Sequence, residues 1–139
     1  MKKLFFIPFL LFAGLLIQAQ TDNWKIKLHG KLLLSASKEN EKANCKKVKS
    51  SLWNKNGFLE INFNEAGPDT WWRSFLFYDE QDNEIIRKDS TTYYKVSVSE
   101  LRKLFGGKKE IRLYTTVSPK DPNLAVRIRR VHLCTLRLP

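Results

Sequence analysis

The residues best equipped for chemistry lie mid-chain. Asp69-Thr70-Trp71-Trp72-Arg73 places a carboxylate, a hydroxyl, two indole rings and a guanidinium side by side. Sugar-binding sites need an apolar ring platform with polar groups at its rim, so Asp69, Trp71, Trp72 and Arg73 form a candidate glycan subsite. The competing reading is a strand whose aromatics fill a core. Adjacent residues of a strand point to opposite faces, so one indole goes to the core and the other to the second face. The acidic residues also crowd this middle region: Glu60, Glu65, Asp69, Asp79, Glu80, Asp82 and Glu84. Glycoside hydrolysis needs two carboxylates at a fixed separation in unlike environments. Most of these acids fall instead in turns, where Asp and Glu are ordinary. The run from Asp79 to Glu84 has oxygens for a Ca²⁺ but lacks the glycine and spacing of an EF-hand loop. No metal site and no cofactor is assigned.

Nucleophilic catalysis finds little support. The chain has two imidazoles, His29 and His132, and no G-x-S-x-G, G-x-x-x-x-G-K-[ST], H-E-x-x-H or C-x-x-C pattern. His132 and Cys134 sit two apart, within reach of each other on one strand face. A disulfide would consume that thiol.

Residues 1–19, MKKLFFIPFLLFAGLLIQA, combine Lys2 and Lys3 with an apolar run from Leu4 to Ile17 and Ala19 at a cleavage point. The pattern is that of a cleaved secretory signal peptide. Ending in Gln18-Ala19-Gln20, it resembles the signal peptides of Gram-negative envelope proteins. A membrane anchor needs about 20 apolar residues, more than this run supplies. The expectation is an exported protein, periplasmic or extracellular, whose residues 20–139 form one domain with no membrane span. In an oxidising compartment, Cys45 and Cys134 are expected to form a disulfide.

Charge is unevenly spread. The chain carries 25 basic and 14 acidic residues. Residues 24–59 hold nine basic and two acidic residues, and residues 101–139 hold ten and two. Residues 60–90 hold three basic and eight acidic. Should the first and last strands lie together, the basic segments merge into one face. Lys25, Lys27, Lys31, Arg127, Arg129 and Arg130 are its candidate contacts. Such a face suits an anionic envelope component or an acidic protein partner. Nucleic acid is not expected, since the export signal and the lack of RNP-type aromatics or a recognition helix argue against it.

These groups need elements to hold them, and the dominant hydrophobic period is two. Trp24, Ile26 and Leu28 alternate with Lys25, Lys27 and His29, a strand with one buried face. Gly30 bends it before Leu32–Leu34. Residues 37–47 read as a loop. Val48 to Trp53, Asn54-Lys55-Asn56-Gly57 and Phe58 to Asn64 read as a strand, tight turn and strand. Trp71 to Tyr78 reads as a central strand covered on both faces. Short strands follow at Ile85–Ile86, Thr91–Val98 and Ile111–Val117. Ser97-x-x-Glu100 is a capping box opening a helical turn near 99–105, which Gly106-Gly107 stops. Ala125 to Leu138 reads as the last and longest strand, with a bulge at Arg129-Arg130.

Eight to nine short strands, no repeating βα unit and one helical turn predict an all-β protein. The expected fold is an antiparallel β-sandwich, jelly-roll or Ig-like, with a small closed β-barrel as the alternative. The expected role is non-catalytic binding of an anionic partner through the basic face. The alternative is a carbohydrate-binding module using Trp71 and Trp72. A small hydrolase is third.

Overall fold

The computed structural model describes residues 21–67 and 69–139. The signal-peptide reading lies outside the described residues. Among the described residues, nine strands and two short helices follow in chain order: β1 (Asn23–Leu28), β2 (Lys31–Ala36), β3 (Cys45–Lys47), α1 (Ser50–Trp53), β4 (Phe58–Asn64), β5 (Trp71–Tyr78), β6 (Glu84–Lys88), β7 (Tyr93–Ser97), α2 (Val98–Leu104), β8 (Glu110–Pro119) and β9 (Val131–Arg137). They form a four-stranded sheet, β2-β1-β4-β7, packed on a five-stranded sheet, β3-β9-β8-β5-β6. This is the expected sandwich. Each sheet ends in its own edge strands, so the closed barrel does not form. Every strand pair is antiparallel except β3 with β9. Among the described residues no helix is long and apolar enough to cross a membrane.

Alternation builds the core. The four-stranded sheet turns Trp24, Ile26, Leu59, Ile61, Phe63 and Val96 inward, and the five-stranded sheet answers with Phe75, Phe77, Ile111, Leu113, Cys134 and Leu136. One end is closed by α2, through Val98, Leu101 and Phe105. Its N-terminus is capped as expected, with Ser97 accepting from the backbone N–H of Glu100. The other end is closed less tightly. There Trp24 stacks on Phe63 at 5.8 Å, and its indole N–H donates to the carbonyl of Leu133 in the opposite sheet.

Four local expectations are corrected. The segment Val48–Trp53 is not a strand, and Asn54–Gly57 is not a hairpin turn. Both edges of β4 are taken by β1 and β7, leaving no slot for another strand. Val48 instead enters the core just ahead of α1, and Leu52 and Trp53 of α1 pack against the core. Gly30 does not bend one strand but closes a hairpin between two. His29 and Gly30 take φ of 51° and 78°, the paired positive values that a two-residue hairpin requires. The last strand is half its expected length: 121–129 are exposed, and pairing begins at Val131. The bulge falls not at Arg129-Arg130 but at Leu133, where Leu113 pairs with Cys134 and Tyr114 with His132.

The fourth correction concerns the cysteines, which are not bonded to each other. In the parallel pair, Cys45 stands opposite Thr135 rather than Cys134. Opposed residues share a face and successive residues alternate, so the two thiols project to opposite sides of the sheet. Cys134 lies in the core, where burial pushes its thiol up to about 12.

Gly57 has a role that turn chemistry did not suggest. A Cβ built on it would lie 1.9 Å from Nδ1 of His29, whose Nε2 hydrogen-bonds the carbonyl of Leu52 at 2.7 Å. The imidazole thus ties the β1–β2 hairpin to α1 across a gap that only glycine leaves open. Gly57→Ala is expected to cost about 1–3 kcal/mol, as overpacking does. Adding His29→Ala should recover part of that loss. Chemical denaturation of the single and double variants measures both, and strictly additive losses would contradict this account.

Candidate functional site

The less tightly closed end of the sandwich holds the polar groups singled out in the sequence. In β5 the residues Trp71, Arg73, Phe75 and Phe77 share the inner face, opposite Pro119, Val117, Thr115 and Leu113 of β8. The chain therefore carries an inner row of apolar side chains outward into a guanidinium and an indole. A guanidinium facing inward needs partners to offset its lost hydration. Arg73 has them: Nε donates to Glu65 at 2.6 Å and Nη1 donates to the hydroxyl of Thr115 at 3.0 Å. Its planar group lies 3.7 Å over the ring of Phe63. The Thr115 hydroxyl in turn donates to the carbonyl of Ser74.

Trp72 points the other way, onto the outer face, and is 47% exposed. The ammonium of Lys120 lies 4.5 Å over its ring and 2.9 Å from the Asp69 carboxylate. Lys120 thereby joins the Asp69 loop to the indole. Three adjoining depressions share Arg73. One lies against Asp22, Glu65, Trp71 and Val117. A second, of about 440 Å³, is bounded by Asp69, Trp71, Trp72, Lys120 and the loop Ser90–Thr92. The third runs between Trp24, Phe63, Thr116 and Arg129. Together they make a shallow cleft with ring surfaces, carboxylate acceptors, and guanidinium and ammonium donors.

All four residues of the candidate glycan subsite thus meet at one cleft. Sequence reasoning missed Asp22, Thr115 and Lys120 as their neighbours, and Glu65 as the partner of Arg73. The signal for Arg73 was present: it shares the odd-numbered phase with Phe75 and Phe77. Nothing local announced Lys120, which arrives from the far end of β8.

The six basic residues are placed differently. Lys25 and Lys27 project from the outer face of the four-stranded sheet. Lys31 sits exposed at the end of the β1–β2 hairpin. Arg127 is exposed in the irregular segment before β9. Arg129 is engaged by Glu39. Arg130 lies over Tyr78 and Tyr114, at 4.7 and 4.4 Å from the ring centroids, and pairs with Asp82 at 2.8 Å. The strands β1 and β9 do face each other, bridged by Trp24, but they belong to different sheets. Lys25 and Lys27 lie on the outer face of one sheet and Arg130 lies over tyrosines of the other, so the six residues do not merge into one face.

Several of the other titratable groups singled out in the sequence are engaged. The buried Asp79 accepts from the backbone N–H groups of Gln81 and Asn83, and from the Asn83 amide. It also pairs with Lys108 at 2.8 Å. The turn from Asp79 to Asn83 thus folds around the Asp79 carboxylate, which Lys108 pairs. Glu84 accepts from Tyr78 and Arg87. His132 is buried, with Nε2 bonded to Thr135, and burial lowers its pKa from the ordinary histidine value. The backbone N–H of His132, and secondarily Arg129, hold Glu39 below the usual glutamate value. Among the described residues no group of three or more His, Cys, Asp or Glu side chains could hold a metal ion.

The fold and cleft together define a small two-sheet sandwich with an aromatic and ionic groove at one end. No protein-family model matches the chain, no curated protein matches it, and no solved structure matches it.

Proposed function

We propose that this protein is an exported, non-catalytic β-sandwich binding module that holds a neutral glycan in the cleft around Trp71, Trp72 and Arg73. One observation carries the reading: two indoles, a guanidinium and the carboxylates Glu65 and Asp69 converge on a single cleft. A pyranose ring offers an apolar face for stacking and equatorial hydroxyls at its edge. Exposed indole surface suits the first, and a rim of carboxylate, guanidinium and ammonium suits the second. Glu65 and Asp69 are each neutralised by a cation already in place, which fits recognition better than acid–base work. Export rests on the pattern of residues 1–19.

Native affinity electrophoresis in gels containing neutral polysaccharides tests the proposal. Retardation should appear with a neutral glycan and persist at high salt. Trp72→Ala should weaken it about tenfold or more, the scale of an aromatic contact that anchors an interface. Because Trp72 is half exposed, truncating it leaves the core intact. Retardation unchanged in Trp72→Ala, or absent with every neutral glycan, overturns the assignment.

A further inference from the structure

The outer faces of the two sheets are finished differently. On the five-stranded sheet, Leu76, Tyr114 and His132 are buried, and Arg130 closes over the tyrosines. The outer face of the four-stranded sheet has no such cover. Register places its side chains in rows across the strands. One row runs Leu32, Lys27, Glu60, Lys95 across β2, β1, β4 and β7. The next runs Ser35, Lys25, Asn62, Tyr93. Phe58 lies beyond the first row, with the Lys95 ammonium 4.3 Å over its ring.

Three large apolar or aromatic side chains are thus held in water on one sheet face: Leu32 is 54% exposed, Phe58 45% and Tyr93 46%. Lysines stand between them. Glu60 is the acid in these rows, and it pairs with Lys95 at 3.9 Å. Among the described residues, neither Lys25 nor Lys27 has a carboxylate within 4.0 Å. They stand about 7 Å apart along β1, by the rise of a strand.

We infer that this face docks on an anionic lipid surface. Positive charge attracts such a surface, and the effect is about fivefold in partition for each lysine brought near it. The charge alone would suit any polyanion. The exposed Leu32 and Phe58 decide between them, because a headgroup–acyl boundary dehydrates an aliphatic or phenyl side chain and a hydrated acidic polysaccharide does not. Tyr93 matches the same boundary, with an apolar ring and a polar tip. The face is separate from the glycan cleft, which opens at the end of the sandwich beside Arg73.

Vesicle co-sedimentation tests the inference. The protein should sediment with phosphatidylcholine vesicles that contain phosphatidylglycerol and not with phosphatidylcholine alone, and added salt should release it. The double variant Lys25→Gln with Lys27→Gln should weaken partition about 30-fold. Glutamine is chosen so that no like charge is set against Glu60. Phe58→Ser should weaken binding while leaving its salt dependence in place. The charge-matched control Lys42→Gln with Arg137→Gln, in the turn before β3 and in β9, away from this face, should bind as the parent does, and so should Trp72→Ala. No sedimentation with anionic vesicles overturns the proposal. So does equal weakening in the control pair, or retention by an acidic polysaccharide without vesicle binding. None of these results bears on neutral-glycan retardation, so the two proposals fail separately.

Discussion

Trp24→Ala is expected to destabilise the protein by about 4 kcal/mol, the usual range for emptying a large aromatic site. The residue is 3% exposed and stacks on Phe63 at an interplanar angle of 7°. It also bridges the sheets by donating its indole N–H to the carbonyl of Leu133 at 3.0 Å. Leu133 is the extra residue of the β9 bulge, so the bulge aims a carbonyl at the facing sheet and the indole satisfies it. Alanine would open a cavity and leave that carbonyl buried without a partner. Trp24→Phe separates the two effects. It keeps most of the ring and removes the donor, at an expected cost of about 1–2 kcal/mol. Urea unfolding should show a large shift in midpoint for alanine and a smaller one for phenylalanine, with the slope unchanged. A neutral Trp24→Phe would show that the inter-sheet hydrogen bond contributes nothing. Because Phe63 carries the Arg73 guanidinium on its ring, the alanine variant should also loosen Arg73 and weaken the glycan retardation proposed for the cleft.

Asp79→Asn is expected to abolish much of the acid sensitivity of folding. Lys108, chiefly, holds the Asp79 carboxyl far below the usual carboxylate range, and the Asn83 and Gln81 donors add to it against the opposing effect of burial. The folded pKa lies below the unfolded one. The carboxylate therefore stabilises the fold at pH values above about 4, where the unfolded group is already ionised. Below that the unfolded state takes up about one proton that the folded state does not, and stability falls with pH. Asparagine carries no titratable proton, so its stability curve should be flatter between about pH 2 and 5. The variant should also be less stable at neutral pH, because Lys108 loses its counter-charge and one oxygen acceptor becomes an amide. Denaturation midpoints across this pH range measure the effect. Parallel curves for parent and variant would show that other carboxylates dominate the acid limb.

Several elements were legible because their signals are local. The alternation in Trp24–Leu28 and in Phe58–Asn64 gave strands with the correct buried face, and Ile111–Val117 was legible as a strand. The Ser97–Glu100 pattern marked the start of α2. The opposite facing of Trp71 and Trp72 follows from strand geometry alone. The failures were of another kind. The stretch Val48 to Trp53 carries β-compatible residues, but β4 has no free edge for it. The pattern Leu124, Val126, Ile128 alternates as a strand does, yet among the described residues the segment pairs with no strand. A strand is stable only when its hydrogen bonds are met by a neighbour, and the neighbour is not written in the segment.

The sequence by itself determined that this chain would bury alternate residues of many short strands. It also set the meeting of aromatic, acidic and basic groups around Trp71–Arg73, since neighbours in a chain stay neighbours in a fold. The tertiary structure decided the rest. It placed β1 and β9 in different sheets, which sends the basic residues Lys25, Lys27 and Arg130 to separate faces. It set Cys45 and Cys134 on opposite sides of one sheet. It brought Glu65, Thr115 and Lys120 to Arg73 and Trp72. The reason is physical: periodicity fixes which face of a strand is apolar, whereas sheet membership and register depend on edge pairing and core volume shared among residues far apart in the chain.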